Sequence, residues 1–276
     1  MSAIILRRRK LGRTSCREIS SKSTTDIVVV RNDKTFPIGI DLVFRWGTTS
    51  NVPTDNVVNT AEAIHKVNDK LEFRRVLQEH ELCPKTWFDY RDSAIVYPVV
   101  VRPRKHAQGR NLFVCNNITE LTNICHTLRE GNYYISELIS KVAEYRVTIV
   151  QGRVAWVAKK TPADPSAVAW NVAQGGRFDN VRWEDWPLRA VRISTEAFML
   201  SGLDFGAIDI MVSAEEKCYV LEINSAPSQT SPYRQECMAK CFDYIVRNGK
   251  EFILLIEGRG NYRKFIHPAV CVDALI

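Results

Sequence analysis

Asp209, Glu222 and Asn224 are the residues whose types and spacing point most directly to chemistry. They lie in GAIDIMVSAEEKCYVLEINSAP, residues 206–227, where two β-patterned runs flank the polar stretch Ala214-Glu215-Glu216-Lys217. That pattern predicts a hairpin with a four-residue loop. Pairing Ser213 with Cys218 sets Val212 against Tyr219 and Asp209 against Glu222, with the two acidic side chains about 5 Å apart at Cβ. Like charges so placed repel unless something cationic lies between them. Asn224, two residues beyond Glu222, points to the same face of an extended strand. Oxygen donors from Asp, Glu and Asn suit a hard divalent cation, Mg²⁺ before others, with phosphate oxygens completing its shell. A merely solvated acidic face fits less well, because the apolar neighbours of each carboxylate mark core strands.

Basic residues stand where they could serve such a site. In YPVVVRPRKHAQGRNLFV, residues 97–114, a strand delivers Arg102 and a basic loop carries Gln108 and Gly109 before a second strand leaves. Backbone N–H groups at a glycine-bearing tip can cradle phosphates, although a solvated hairpin tip has the same composition. Arg146, Lys159 and Lys160 stand inside apolar strand runs. Such charges either snorkel to the surface or recognise phosphate or carboxylate.

The elements that must position these groups follow from periodicity and breakers. Residues 1–66 read as a small α/β unit with strand runs at Ile27–Val30 and Ile38–Phe44. Arg45 to Ser50 forms a polar loop at a strand end, a usual ligand-facing position. Helical spacing covers Asn59–Asn68 and Lys70–His80, and Pro84 stops the second helix before a strand at Thr86–Phe88. A helix over Ile118–Arg129 precedes strands at Tyr134–Ile139, Glu144–Val150 and Arg153–Ala158, the last two joined by a tight Gln151-Gly152 turn. Three units are expected: 1–66, 67–135 with the phosphate-binding loop, and 136–276 with the metal site.

Composition narrows the class. Hydrophobic residues make up 45% and charged residues 25%, as in a globular chain. No apolar run reaches the roughly 20 residues that span a bilayer, and MSAIILRRRK lacks secretory-signal order. Eight cysteines are scattered without a CxxC, so a reduced, cytoplasmic location is expected. Cys237 and Cys241 share a helix face and read as packing residues. The net charge of +7 would allow nucleic-acid binding. Its only dense run is Arg7 to Lys10, however, and a polyanionic nucleotide accounts for the charge equally well.

In this order the segments resemble the ATP-grasp superfamily. The resemblance is carried by Asp69-Lys70-Leu71, Pro98 to Arg102, Gln108-Gly109, Glu137-Leu138-Ile139, Tyr145-Arg146-Val147 and Asn171 to Gly176. Gly202 to Asp209 and Leu221 to Pro227 complete it. It covers roughly residues 67–245 and lies nearest the branch that ligates glutamate to a ribosomal protein tail, with glutathione synthetases further off. It implies an α/β (α+β) fold in which two α+β subdomains grip ATP, after a small N-terminal domain. It also implies ATP and Mg²⁺ as cofactors. Lys70 and Arg102 would contact phosphates, and Gln108 and Gly109 would form the lid. Glu137, Leu138 and Ile139 would present backbone groups to adenine, while Asp209, Glu222 and Asn224 would hold Mg²⁺. Arg146, Lys160 and Asn171 would serve the transferred phosphoryl group and an acyl phosphate. The implied activity joins a carboxylate to an amine on an amino acid, peptide or protein tail. Departures are Arg102, where relatives usually carry Lys, and Ala169, where they carry Arg. A kinase on the same scaffold and a non-catalytic nucleotide-binding module remain alternatives. Residues 246–276, with the strand-like run Phe252–Ile256, form an extension that could pack as an edge strand or mediate homo-oligomer assembly.

Overall fold

The computed structural model describes residues 1–104, 111–170 and 175–250. Its first sheet is parallel, with strands β1 (Ala3–Arg7), β2 (Ile27–Arg31), β3 (Leu42–Trp46) and β4 (Val57–Val58) in the order β2-β1-β3-β4. Every residue of β1 is buried. Ala3 and Ile5 enter one core, and Ile4 and Leu6 enter another. A parallel strand covered on both faces needs such an unbroken apolar run. Strand β1 and helix α1 (Arg13–Lys22) are additions to the sequence expectation, and β3 begins at Leu42 instead of Ile38. Gly12 opens α1 at φ 72°, and a Cβ there would lie 2.6 Å from the Trp46 ring, so glycine is required.

Helices α2 (Ala61–Asn68) and α3 (Lys70–Glu79) follow. Thr60 and Asp69 cap them by accepting from Ala63 N–H and Glu72 N–H. The second sheet is antiparallel: β5 (Thr86–Trp87), β6 (Val99–Pro103), β7 (Phe113–Cys115) and β8 (Tyr133–Glu137), in the order β5-β8-β6-β7. Helix α4 (Ile118–Leu128) contributes Leu121 and Cys125 to the core of that sheet.

The third sheet positions the chemistry. Strands β9 (Lys141–Val150), β10 (Arg153–Thr161), β11 (Arg177–Val181), β12 (Phe205–Ser213) and β13 (Cys218–Asn224) lie in the order β11-β10-β9-β12-β13, all antiparallel. One face carries Val147, Ile149, Val157, Ile208 and Ile210 into a core shared with α2, α3 and α5 (Leu188–Ser201). The opposite face changes character along the strands. Val150, Trp156 and Phe205 pack at one end against the first sheet and α6 (Pro232–Asn248), while Glu144, Arg146, Lys160 and Asp209 occupy the other. A β-bulge between Val154 and Trp156 keeps Val154 and Val157 on the same core face. The expected Gln151-Gly152 turn is present with φ of 48° and 73°, the positive pair of a type I′ hairpin.

Aromatic stacking and two polar clamps fasten the first sheet to the third. Phe242 of α6 stacks on Phe44 at 4.0 Å and meets Phe205 edge-on at 5.2 Å. Cys237 and Cys241 pack in this same core. Asn59, fully buried at φ 68°, donates to Phe205 C=O at 2.9 Å and accepts from Asp204 N–H and Phe205 N–H at 2.8 and 3.0 Å. Asp243 of α6 accepts from the hydroxyls of Ser23, Thr24 and Thr25, and from the N–H groups of Thr24 and Thr25. Burial would raise its carboxyl, but these donors hold it below the ordinary range.

A carboxyl depressed in the folded state stabilises the protein above its unfolded pKa, and the contribution is lost as the pH falls through the folded value. Asp243→Ala is therefore expected to lower stability by about 1–3 kcal/mol at neutral pH, because it removes the buried carboxylate that accepts from several partly exposed donors. The loss relative to wild type should shrink in acid. Urea unfolding at pH 7 and at about pH 2.5, below the unfolded carboxyl pKa, measures both; an equal deficit at the two values would show that the carboxylate charge is not what matters.

Candidate active site

Asp209 and Glu222 face each other across β12 and β13, as the sequence pattern predicts, but by a different route. The loop contains three residues instead of four. Ser213 N–H donates to Lys217 C=O at 2.8 Å, Glu216 N–H donates to Ser213 C=O at 3.0 Å, and Glu216 takes φ 59°. This is a type I turn closed by one left-handed residue. Val212 consequently pairs with Cys218 and Met211 with Tyr219. That register alone would set Asp209 opposite Leu221. An extra residue between Val220 and Glu222 restores the Asp209–Glu222 pairing.

The bulge is held by Arg74 of α3, which is buried and donates to Val220 C=O at 3.1 Å and Leu221 C=O at 2.6 Å. Its guanidinium also lies 5.1 Å from the Tyr134 ring centre. Val220 N–H donates to Leu82 C=O at 2.8 Å, so the outer edge of β13 is covered by the segment that carries α3.

The cations demanded by two facing carboxylates come from the chain itself. Arg146 on β9 forks onto Asp209, Nε to Oδ1 and Nη2 to Oδ2, each at 2.7 Å. Lys70, at the start of α3, pairs with Glu222, whose other oxygen accepts from the Asn224 amide at 3.1 Å. Burial would raise the Glu222 carboxyl, but Lys70, then Asn224 and Arg146, reverse this and hold it far below the ordinary range. Burial likewise opposes the Arg146 charge, and Asp209, with Glu222 and Glu144, outweighs it.

One cross-strand row away, Glu144 pairs with Lys160 at 2.6 Å and with Lys141. Burial lowers the Lys141 pKa, and Glu144 offsets part of that shift. Phe178 on β11 lies beneath this group, 4.5 Å from the Arg146 guanidinium and 5.6 Å from the Lys160 ammonium.

The structure thus brings Lys70, Arg146, Lys160, Asp209, Glu222 and Asn224 onto one surface. Arg102 lies opposite Tyr134 on the second sheet, and its Nε is buried with no hydrogen-bond partner among the described residues. Glu137 ends β8. Its N–H donates to Lys85 C=O at 2.9 Å and that of Leu138 to Pro98 C=O at 3.4 Å, which ties this stretch to both neighbouring segments ahead of Ile139. Gln108, Gly109 and Asn171 lie outside the described residues, as do residues 251–276. Arg104, from the same basic segment, pairs instead with the Asp69 cap at 3.0 Å. The loop after β3 reaches the site: a Cβ on Gly47 would fall 2.7 Å from Ala226 Cβ, just beyond Asn224.

Glu144, Arg74, Phe178 and Arg234 belong to this surroundings and were not singled out from sequence. Glu144 was within reach, since it shares a strand face with Arg146 two residues later. The others depend on contacts distant in the chain.

Two carboxylates and an amide are a reasonable donor set for Mg²⁺, which takes one or two protein carboxylates and completes its shell with phosphate and water. Each oxygen of Asp209 and Glu222 can accept a metal while keeping a hydrogen bond, because it carries two lone pairs. Among the described residues there is no group of three or more His, Cys, Asp or Glu side chains that could hold a metal.

The family model of the RimK-like ATP-grasp domain matches residues 85–239. No curated protein matches the sequence. Among solved structures, D-alanine–D-alanine ligase from Bacillus anthracis superposes with a TM-score of 0.68 at 13% identity, covering 90% of this chain and 97% of that one. The ATP-grasp ligase PsnB, complexed with a minimal precursor, Mg and ADP, gives 0.64 at 12% identity over 90% and 98%. The macrocyclase MdnC, bound with precursor peptide MdnA from Microcystis aeruginosa, gives 0.60 at 16% identity over 87% and 98%. At these identities the likeness is one of fold.

Arg74→Met should leave two bulge carbonyls without their charged donor and lower stability by about 1–3 kcal/mol. Urea unfolding checks this. Unchanged stability would mean that the bulge does not depend on α3.

Proposed function

The chain belongs to the family of RimK-like ATP-grasp domains, and we propose that it is an ATP-dependent carboxylate–amine ligase working through an acyl phosphate. The observation that carries this reading is the row Arg146, Asp209, Glu222 and Lys70, in which two facing carboxylates are flanked by a cation on each side, Arg146 from β9 and Lys70 from α3. Phosphoryl transfer needs positioning and charge neutralisation more than covalent help from the protein. A row of this kind offers both.

On this reading Lys70 and Arg102 hold the nucleotide phosphates; the unpartnered Arg102 Nε supports the second assignment. Glu137, Leu138 and Ile139 face adenine, and Gln108 and Gly109 close over the phosphates. Asp209, Glu222 and Asn224 hold Mg²⁺, which when bound neutralises phosphate oxygens and orients them. Arg146, Lys160 and Asn171 stabilise the charge that develops on the transferred group. A substrate carboxylate oxygen attacks the γ-phosphorus and ADP leaves. An amine nitrogen then attacks the acyl carbon, the carbon–oxygen bond to phosphate breaks, and an amide forms.

The substrate would be an amino acid, a peptide or a protein tail that brings a carboxylate to meet an amine. Residues 1–66, 67–135 and 136–276 would be the three working units. No helix among the described residues is long and apolar enough to cross a membrane. The seven described cysteines are all free and largely buried, which supports a reducing, cytoplasmic setting. Cys16, for example, is pushed up to about 12 by burial and is inert as a nucleophile.

The experiment is Mg²⁺-dependent ADP release from ATP in the presence of pooled amino acids and short acidic peptides, with hydroxylamine as acyl-phosphate trap. Hydroxamate formed together with ADP is expected. ADP with phosphate retained on a hydroxyl product would identify a kinase instead, and ATP binding without turnover by any pool would favour a nucleotide-binding module. Glu222→Gln removes one metal charge and should abolish turnover, a loss of at least about a hundredfold, with the fold kept. Wild-type turnover in that variant would refute the metal assignment.

A further inference from the structure

Strands β1 and β3 end side by side, and their last residues, Arg7 and Trp46, are register partners on the face that α1 covers. The chain leaves β1 for β2 on one side and crosses to β3 on the other, so this gap is the switch point of the parallel sheet. Ligands of open α/β sheets enter there, outside the carboxyl ends of the strands.

The groups gathered at this point are donors. Arg7 is 6% exposed; its Nη1 donates to the carbonyls of Arg8 and Arg9 at 3.0 and 3.1 Å, and its Nε has no acceptor among the described residues. Trp46 is fully buried, and its Nε1 likewise lacks an acceptor. That indole nitrogen would stand only 2.7 Å from a Cβ on Gly12, the residue that opens α1. Helix α1 has no side-chain cap and no acid in its first turn, so its leading N–H groups keep their partial charge. Burial raises the Cys16 thiol and the Arg7 charge opposes it, which puts the Arg7 guanidinium near the first turns of α1. Gln229 N–H donates to Ser15 Oγ in the first turn at 2.9 Å, and the Gln229 side-chain nitrogen is one more buried donor without an acceptor among the described residues.

Around these lie the exposed Arg8, Arg9, Lys10 and Arg13, and residues 7–17 contain no acid. Cations at a helix N-terminus oppose its dipole, and a bound anion reverses that conflict. A single carboxylate would answer little of this charge. A phosphate carries nearly two charges and three strong acceptor oxygens, enough for helix N–H groups, an indole and a guanidinium together.

We propose that the start of α1, with Arg7 and Trp46, is a binding site for a phosphate group, separate from the nucleotide site. Gly47 follows Trp46 and abuts Ala226, two residues beyond Asn224, so the bound group sits one loop away from the metal-binding strand. The phosphate is either a remote ester on a phosphorylated substrate or free inorganic phosphate; the recognising chemistry is the same. The site does not depend on the ligase reading.

The test uses the full chain labelled with nitrogen-15, at about 0.1 M chloride, where diffuse surface attraction is screened. Inorganic phosphate, methyl phosphate and acetate are titrated into the free protein, and again with Mg²⁺ and a non-hydrolysable ATP analogue at saturation. Calorimetry reads affinity, and the Trp46 indole N–H resonance, assigned with Trp46→Phe, reads position. Phosphate, and not acetate, should bind in both states and shift that resonance. Arg7→Met should weaken phosphate binding at least about tenfold and the exposed Arg13→Ala about threefold, with affinity for the ATP analogue unchanged. Tighter binding of methyl phosphate than of inorganic phosphate identifies a substrate ester; equal or weaker binding identifies free phosphate. The proposal is overturned if phosphate does not bind, if the analogue displaces it, if acetate competes equally, or if the indole resonance stays fixed. Were Arg7→Met to misfold, Arg13→Ala and the indole shift would still decide. An analogue that fails to bind would defeat the nucleotide reading instead, and the phosphate site would be scored on the free protein.

Discussion

Two carboxylates facing each other on adjacent core strands cannot stay charged unless cations reach them, and much of this molecule is arranged to deliver those cations. Arg146 comes from the strand on the other side of Asp209, so sheet order alone supplies it. Lys70 comes from a helix that is not part of the sheet. Helix α3 must therefore dock on the edge of β13, and Arg74 does this by binding the two carbonyls that the bulge frees. One helix thus both neutralises Glu222 and fixes the backbone irregularity that sets Glu222 opposite Asp209. Removing a member of a buried ion pair usually costs more than the pair contributes, because the remaining charge is stranded. That asymmetry makes the arrangement interdependent.

The first sheet serves the same surface from behind. The face of β9, β10 and β12 that carries charge at one end turns apolar at Val150, Trp156 and Phe205, where the aromatic contacts of Phe44, Trp46 and Phe242 seal it. Thr24, Thr25 and Asn59 bind Asp243, Asp204 and the Phe205 backbone, each far away in sequence. These contacts set how α6, and with it Arg234, lies over the charged end. Packing at one end of the face thus positions charged side chains at the other.

The parts legible in sequence were those governed by local periodicity. The Asp209–Glu222 facing, the Gln151-Gly152 turn and the two helices ahead of Pro84 follow from alternation, turn chemistry or helical spacing within a few residues, although the first of those helices starts at Ala61 and not at Asn59. The hairpin loop was misjudged by one residue and corrected by one bulge, and neither departure has a local signature. Leu221 is an ordinary apolar residue, and its extra place in the strand depends on Arg74, far upstream in the chain. Strand β1 was missed because its apolar run is short and meets a basic cluster at once; its burial comes from neighbours on both sides. The partners Lys70, Arg74 and Arg234 are helix residues whose exposed-looking charges give no hint of their targets.

The pairing of every central charge before any ligand arrives has a physical consequence for the proposed reaction. Binding a magnesium nucleotide to a bare cluster of acids would bury phosphate charge beside unscreened carboxylates. Here Lys70 can exchange Glu222 for a phosphate while Glu222 exchanges Lys70 for the metal, so each group trades one opposite charge for another and little net charge is created in the interior. Arg146 can make the same exchange between Asp209 and a transferred phosphoryl group. Such exchanges need small side-chain movements and little solvent reorganisation, which is the condition under which fixed charges stabilise a transition state most effectively.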